Sequence, residues 1–180
     1  MDPIHLYRRA TDGAAAVLST VAREQLALPT PCSEWSVQNL IDHLTGSTEY
    51  LLAALAGRPP VPPSETDPGA FAEGVTAVLA GLAAPGALDR TCMSPLGFEW
   101  PIAQAVMGTV MDTLIHTWDL ATAIGQPVTL DPGLVQVCVD MFLPEMPQRG
   151  RDSGLVGAAV PVAFDAAPAV RLLGAMGRHA

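Results

Sequence analysis

Asp112 and His116 are the residues of this sequence whose types and spacing most directly suggest chemistry. They stand four positions apart in a segment, residues 102–124, that is otherwise almost entirely apolar or small. On a helix, this spacing puts both side chains on one face, one turn apart. A carboxylate in such a segment needs compensation, because burial of an unpaired charge is costly or shifts the pKa until the group is neutral.

A divalent metal would supply that compensation. No lysine or arginine occurs between Arg90 and Arg149, so no basic side chain nearby in the sequence can pair with Asp112. His43 is the candidate third ligand beside Asp112 and His116, although it lies on a flank, about 120° from the centre of its helix's leucine stripe. A buried Asp112–His116 hydrogen bond without a metal is the alternative interpretation.

Two histidines and one aspartate form a ligand set that is typical of a catalytic metal. Three protein ligands leave at least one coordination position open to water or substrate. Zinc suits these donors best, and nickel, iron, manganese and cobalt bind the same nitrogen and oxygen atoms. An open metal can bind a thiolate, or lower the pKa of a bound water to about 7.

Further polar and aromatic residues are candidates for the surroundings of the metal. Asp119 is expected to accept the second N–H of His116, as carboxylates behind metal-bound histidines do, with an unrelated core hydrogen bond as the alternative. Trp35 and Trp100 precede predicted helices and are expected to rim a pocket, or else to pack at the helix ends. We identify no catalytic acid or base beyond a metal-bound hydroxide or Asp119. The residues predicted around the metal are Asp119, Trp35, Tyr50, Trp100 and Trp118.

The composition favours one helical domain over residues 1–180. The chain is 49% hydrophobic and only 5% aromatic, which favours helices with small-residue contacts over a β-sandwich. Its net charge of −9 argues against nucleic acid and anionic lipid as partners, because both require clustered cations. The expected partner is a small molecule, and the expected assembly is a monomer or a homodimer.

Hydrophobic periodicity and breaker residues predict four main helices and a shorter C-terminal region. Residues 87–100 are expected to form a loop or short extended structure that could serve as a lid. Residues 144–180 are expected to form an irregular tail with a short helix packed on the bundle. Four main helices indicate a bundle, in which sites are built from inward-facing side chains. The predicted helices span residues 3–26, 37–56, 68–83, 101–124, 132–142 and 166–176.

The cysteines and the N-terminus suggest a cytoplasmic protein. Cys32, Cys92 and Cys138 are widely separated and form no CxxC pair, so we expect reduced thiols. Cys32 is expected to be a buried apolar thiol, or alternatively to approach the metal through the loop before the His43 helix. The N-terminus lacks the apolar core of a signal peptide, and no apolar run is long enough for a membrane span.

Three stretches of the chain carry a resemblance to a known family. The first, Thr30 to His43, follows the pattern TPC-x-x-W-x-V-x-x-L-x-x-H, and the second, His116 to Ala121, follows H-x-W-D-L-A before a Gly-Gln pair. The third, Arg171 to Arg178, reads R-L-L-x-x-x-G-R. In this order they resemble the mycothiol-dependent maleylpyruvate isomerase N-terminal domain family, which is DinB-like, metal-binding and common in actinobacteria.

The resemblance implies an all-α, DinB-like four-helix bundle with an up-down-down-up course and short extra C-terminal helices. It also implies a divalent metal between helices, with the family's first histidine ligand at His43 and its acid–histidine pair at Asp112 and His116. Mycothiol is then the implied co-substrate. Because the family's isomerase carries a further C-terminal domain that this sequence is too short to hold, we expect a reaction other than maleylpyruvate isomerisation.

The leading hypothesis is therefore a metal-dependent thiol transferase or isomerase, in which a metal-bound thiolate attacks a small electrophile. Two alternatives stay open, since a fold does not determine its chemistry. One is a non-catalytic metal- or ligand-binding protein. The other is a cyclase or lyase of secondary metabolism that reuses the bundle. An enzyme needs an open, exchangeable metal position, whereas a structural site is saturated.

Overall fold

A computed structural model describes residues 2–59, 68–143 and 145–180 of the chain. These residues form seven α-helices and one two-stranded antiparallel sheet, so the predicted all-α class is confirmed. No helix among them is both long and apolar enough to cross a membrane. The elements are α1 (Pro3–Leu18), α2 (Val37–Ala56), α3 (Pro68–Leu82), β1 (Thr91–Met93), β2 (Glu99–Pro101), α4 (Ile102–Ala123), α5 (Pro132–Phe142), α6 (Met146–Asp152) and α7 (Pro168–Ala175).

The chain divides into two compact units, Met1–Val128 and Thr129–Ala180. The first unit holds α1 to α4 and the small sheet, and the second holds α5 to α7. Each unit has its own buried apolar side chains. The expectation of one domain, with the tail packed on the bundle, stays a prediction.

The first unit is a bundle of α1 to α4 around one apolar core. Helix α4 is buried on nearly all sides, as its apolar sequence predicts. The other three helices each bury one stripe against the core, and burial of large aliphatic side chains contributes about 1.5–3 kcal/mol each. The central cluster consists of Ala14, Val17, Leu18, Val37, Leu40, Ile41, Leu44, Phe71, Leu120, Ala121 and Ile124.

Residues at the helix ends explain why the predicted boundaries of α2 agree with the structure and why the predicted end of the first helix does not. Helix α2 matches its predicted span, because Ser36 and Asn39 cap each other's backbone at its start and Gly57, at φ 65°, ends it. The first helix was predicted to reach residue 26 but ends at Leu18. The hydroxyls of Ser19 and Thr20 donate to carbonyls one turn back. These bonds compete with helix continuation.

The loop of residues 29–36, between the first two helices, is tightly closed. Pro29 and Ser36 form an isolated antiparallel bridge. Inside it, the backbone N–H of Thr30 donates to the carbonyl of Trp35 (3.1 Å), and the N–H of Trp35 donates to the carbonyl of Cys32 (3.1 Å). Glu34 takes a left-handed conformation, φ 69°, to make the turn. The loop therefore holds both Cys32 and Trp35 in defined positions.

Residues 91–101 form a β-hairpin where a loop or short extended structure was predicted. Cys92 pairs with Trp100 across its two strands. The indole of Trp100 lies directly on α4, where a Cβ added to Gly108 would come within 2.9 Å of the ring. Only glycine permits this approach, and a glycine inside a helix one turn before Asp112 is the sequence signal for it.

The second unit contains one helix that the sequence analysis missed. Helix α6 lies in the segment predicted to be irregular because of its glycines and prolines. Two side-chain pairs one turn apart support it, since Arg149 donates to Glu145 and Gln148 donates to Asp152. Arg151 also donates to the carbonyl of Ala175, at the end of α7, over 3.1 Å.

Two glycine-to-alanine substitutions test the packing of the hairpin. Gly108→Ala should lower the free energy of unfolding by about 1 kcal/mol, because overpacking against the indole costs about 1–3 kcal/mol and outweighs a gain in helix propensity of about 1 kcal/mol. Gly13→Ala is the matched control. Gly13 is exposed in α1 with nothing within 4 Å of an added Cβ, so this change should raise stability. Urea unfolding measures both, and equal effects of the two substitutions would contradict the packing of Trp100 on Gly108.

Candidate metal centre

Helices α2 and α4 bring together the three predicted metal ligands. The carboxylate of Asp112 lies between two imidazoles, with Oδ2 at 2.8 Å from Nε2 of His43 and Oδ1 at 3.4 Å from Nε2 of His116. One donor atom from each residue lies within 4.8 Å of the others. Two nitrogens and one oxygen thus converge from two helices.

The flank position of His43 turns out to face α4. Its ring meets the ring of His116 edge to face, with centroids 4.7 Å apart. Asp112 and His116 present the matching face of α4, as their four-residue spacing predicts. Helix α4 packs against the edge of the apolar face of α2 and so brings His43 to the other two ligands. Periodicity within one helix does not reveal this packing.

Asp119 lies behind His116, on the side of the ring away from Asp112. Its Oδ2 is 2.9 Å from Nδ1 of His116, and the residue is fully buried. A carboxylate at this nitrogen fixes the orientation of the ring and favours a proton on Nδ1, which leaves Nε2 free to bind a cation. This is the contact that a metal-bound histidine commonly makes with its support.

Trp35 covers the two histidine rings from the 29–36 loop. Its indole stacks on His116, with centroids 5.5 Å apart and planes 20° from parallel, and tilts against His43 at 4.9 Å. The rings exclude water from one face of the cluster. The cluster is not fully covered, since about a third of the side-chain surface of His43 and of Asp112 is exposed. A solute could therefore reach a cation held here.

The same loop places Cys32 beside the supporting pair. Its sulphur, a ring nitrogen of His116 and a carboxylate oxygen of Asp119 lie within 4.8 Å of one another. Cys32 is partly buried and also touches the apolar core. A buried apolar thiol was predicted for Cys32, with an approach to the metal as the alternative. The sequence could not decide between them, because the direction of the sulphur depends on how the loop closes.

The side chains of Tyr50 and Trp100 form a hydrogen bond beside the hairpin, whereas Trp118 lies on α4. The hydroxyl of Tyr50 accepts from Nε1 of Trp100 (2.9 Å) and donates to the carbonyl of Met93 (3.0 Å). Burial raises the pKa of Tyr50 above its ordinary value, so the phenol keeps its proton and can donate. Trp118 is half-buried and follows His116 by two residues, about 200° further round the helix. The role of Tyr50, Trp100 and Trp118 around a metal stays a prediction.

The charges of the cluster are strongly coupled. Burial alone would raise the pKa of Asp112, but the two imidazoles and their hydrogen bonds outweigh it and hold that pKa well below its usual range. Burial alone would lower the pKa of His116, but the charge of Asp112, with hydrogen bonds that the ring donates to both carboxylates, raises it to about 9. Asp112 is therefore an anion at neutral pH and draws positive charge to the site.

Comparison with known proteins finds a family model and two relatives that match most of this chain. The family model described as the mycothiol maleylpyruvate isomerase N-terminal domain matches residues 7–121. Two uncharacterized proteins of Mycobacterium tuberculosis, from strains CDC 1551 / Oshkosh and ATCC 25618 / H37Rv, are each 42% identical over 137 residues, which is 74% of this chain and 74% of theirs.

Solved structures share the fold. Crystal structures of the mycothiol-dependent maleylpyruvate isomerase and of its histidine-to-alanine mutant match with TM-scores of 0.52 and 0.56 at 16% identity. The match covers 76% of this chain and 66% of each isomerase chain, just under two thirds of their length. At this identity the likeness supports the predicted DinB-like four-helix bundle.

The raised pKa of His116 predicts how the stability of the metal-free protein depends on pH. The pKa is about 9 in the folded chain against 6.5 for the free side chain. The stabilisation from the charged ring is therefore complete below pH 6.5 and is lost as the pH rises through 9. Urea unfolding after removal of metal by a chelator should give a falling free energy across this range. Asp112→Asn should flatten the decline, and an equal slope in both proteins would contradict the coupling.

Proposed function

The chain belongs to the mycothiol maleylpyruvate isomerase N-terminal domain family, and on this premise we propose that it is a divalent-metal-dependent enzyme of thiol chemistry. In the proposed reaction, a low-molecular-weight thiol of the mycothiol type adds to a small electrophile, which is then released as an S-conjugate or as an isomer. Zinc is the proposed ion, and nickel, iron, manganese or cobalt would suit the same donors.

The observation that carries the proposal is the convergence of His43, Asp112 and His116, with Asp119 behind the last of them. Asp112 offers one oxygen toward each imidazole, and one donor atom from each of the three residues lies within 4.8 Å of the others, which supports a shared ion. Asp119 holds Nδ1 of His116, which directs Nε2 to that centre. Catalytic zinc sites typically have three protein ligands with nitrogen and oxygen donors, and they keep one position open for substrate.

Each residue of the site would have its own role in this reaction. A bound divalent ion would supply Lewis acidity, which favours a thiolate over a thiol near neutral pH. His43, Asp112 and His116 would hold it, and Asp119 would keep His116 in one orientation. Trp35 would exclude water from the covered face. The thiol would enter from the side where His43 and Asp112 are exposed.

The bond changes in the proposed reaction are those of a nucleophilic addition. The thiol gives up its proton, the thiolate sulphur gives an electron pair to the electrophilic carbon, and the displaced pair either takes up a proton from solvent, which yields the S-conjugate, or stays as a delocalised anion. In an isomerisation, this anionic adduct rotates about the former double bond, and its electron pair then re-forms the double bond as the thiolate leaves. The solved relatives are named as mycothiol-dependent isomerases, which supports mycothiol as the thiol to test first.

Elemental analysis tests the metal-binding part of the proposal. Protein purified without a metal-chelating tag and loaded with Zn²⁺ should hold about one ion per chain. His43→Ala, Asp112→Ala and His116→Ala should each lose most of it, because removal of one of three ligands leaves too few donors. His5→Ala is the matched control, since His5 is exposed on α1. Retention of zinc in all three variants would overturn the assignment.

Calorimetric titration tests the thiol. Zinc-loaded protein should bind mycothiol at least about tenfold more tightly than metal-free protein does, which corresponds to about 1.4 kcal/mol. Mycothiol methylated at sulphur should lose this difference, because it cannot supply a thiolate. If the methylated and free thiols bind equally well to the loaded protein, the sulphur is not the group that the site recognises.

A further inference from the structure

We propose that Cys32, Asp119 and Nδ1 of His116 form a second cation site, one that takes a thiophilic divalent ion. It would lie on the edge of the His116 ring opposite His43 and Asp112. The proposal concerns a different set of donors from the proposed thiol chemistry and does not depend on that reaction.

The three donor atoms are close enough to hold one ion after small adjustments. They lie within 4.8 Å of one another, and Oδ2 of Asp119 is 2.9 Å from Nδ1 of His116. Metal–ligand bonds of about 2.0–2.3 Å in a tetrahedral arrangement separate neighbouring donors by about 3.3–3.6 Å. The nitrogen and oxygen would separate by a few tenths of an ångström, and the sulphur, which lies within 4.8 Å of both, would approach by at most about 1.5 Å.

The donors select for a soft ion. A thiolate beside a nitrogen and a carboxylate oxygen favours a soft ion such as Cd²⁺, whereas Zn²⁺ is the ion proposed for the nitrogen and oxygen donors around Asp112. The set around Asp112 contains no sulphur. Binding would release the proton of the Cys32 thiol to solvent. The resulting thiolate and the carboxylate of Asp119 would then neutralise the two charges of the ion.

The surroundings favour an ordered site. Asp119 is fully buried and His116 is nearly so, whereas Cys32 is partly exposed and provides the route of entry. The backbone bonds of the 29–36 loop fix the position of Cys32, and the indole of Trp35 covers one face of the shared ring. Little conformational freedom would be lost when an ion binds.

Because both sets of donors include the ring of His116, only one set can bind an ion at a time. A neutral imidazole has one free lone pair, so Nδ1 can bind an ion only when Nε2 carries the proton. That N–H would then point at Oδ1 of Asp112, which is 3.4 Å away. An ion held by Cys32 would thus withdraw His116 from the first set. Thiophilic ions would compete with the proposed catalytic metal.

Titration of metal-free protein with Cd²⁺ tests the second site through the ultraviolet absorption of a thiolate–cadmium bond. The parent should develop this band up to about one thiolate-bound ion per chain. Cys32→Ser should lose the band. Cys92→Ser should keep it, since Cys92 is also partly buried but lies beside Tyr50, in the hairpin. His43→Ala should keep it as well, because His43 belongs only to the first set.

Three results would overturn the second site. They are absence of the band in the parent, its persistence in Cys32→Ser, and its loss in His43→Ala. Circular dichroism must first show that each variant is folded as the parent is, and zinc retained by Cys32→Ser serves as a second check on its fold. Because His43→Ala breaks only the first set, a cadmium band in that variant supports the second site even if the first set binds no metal.

Discussion

The carboxylate of Asp112 is the constraint on which the arrangement of this bundle depends. It projects from an otherwise apolar helix that is buried on nearly all sides, and no basic residue near it in the sequence can neutralise it. Its side chain is only about a third exposed, and positive charge or strong hydrogen bonds stabilise an anion that is largely removed from water. Two imidazoles do so, which requires α2 to present His43 to α4 and requires His116 to lie one turn further along.

The elements around this cluster differ in their roles. The donors stand on helices, whose packing holds them within narrow limits, whereas two closed loop structures cover the neighbouring surface. The 29–36 loop lays Trp35 on the histidine rings. The hairpin lays Trp100 on Gly108, one turn from Asp112. In the first place the indole stacks on another ring, and in the second it approaches a glycine, so both aromatic neighbours of the cluster are uncharged.

Periodicity and capping residues were enough to predict most of the bundle, because they act within one helix. The early end of α1 was missed, since the hydroxyls of Ser19 and Thr20 compete locally with an apolar pattern that continues. The orientation of His43 was open for a different reason: a flank becomes inward only when a neighbouring helix packs over it. Cys32 could not be placed either, because its direction depends on the closure of a loop with Glu34 in a left-handed turn.

His116 shows why membership of a family leaves chemistry undecided at this site. Its Nε2 faces a carboxylate and a second imidazole, whereas its Nδ1 faces a carboxylate near a thiol. The tautomer of one ring therefore selects between donors that differ in softness, and donor softness is a main determinant of which ion a protein binds. A shared bundle provides the scaffold, and under the two proposals above the proton on one edge or the other of a single histidine would determine which cation, and hence which reaction, the scaffold supports.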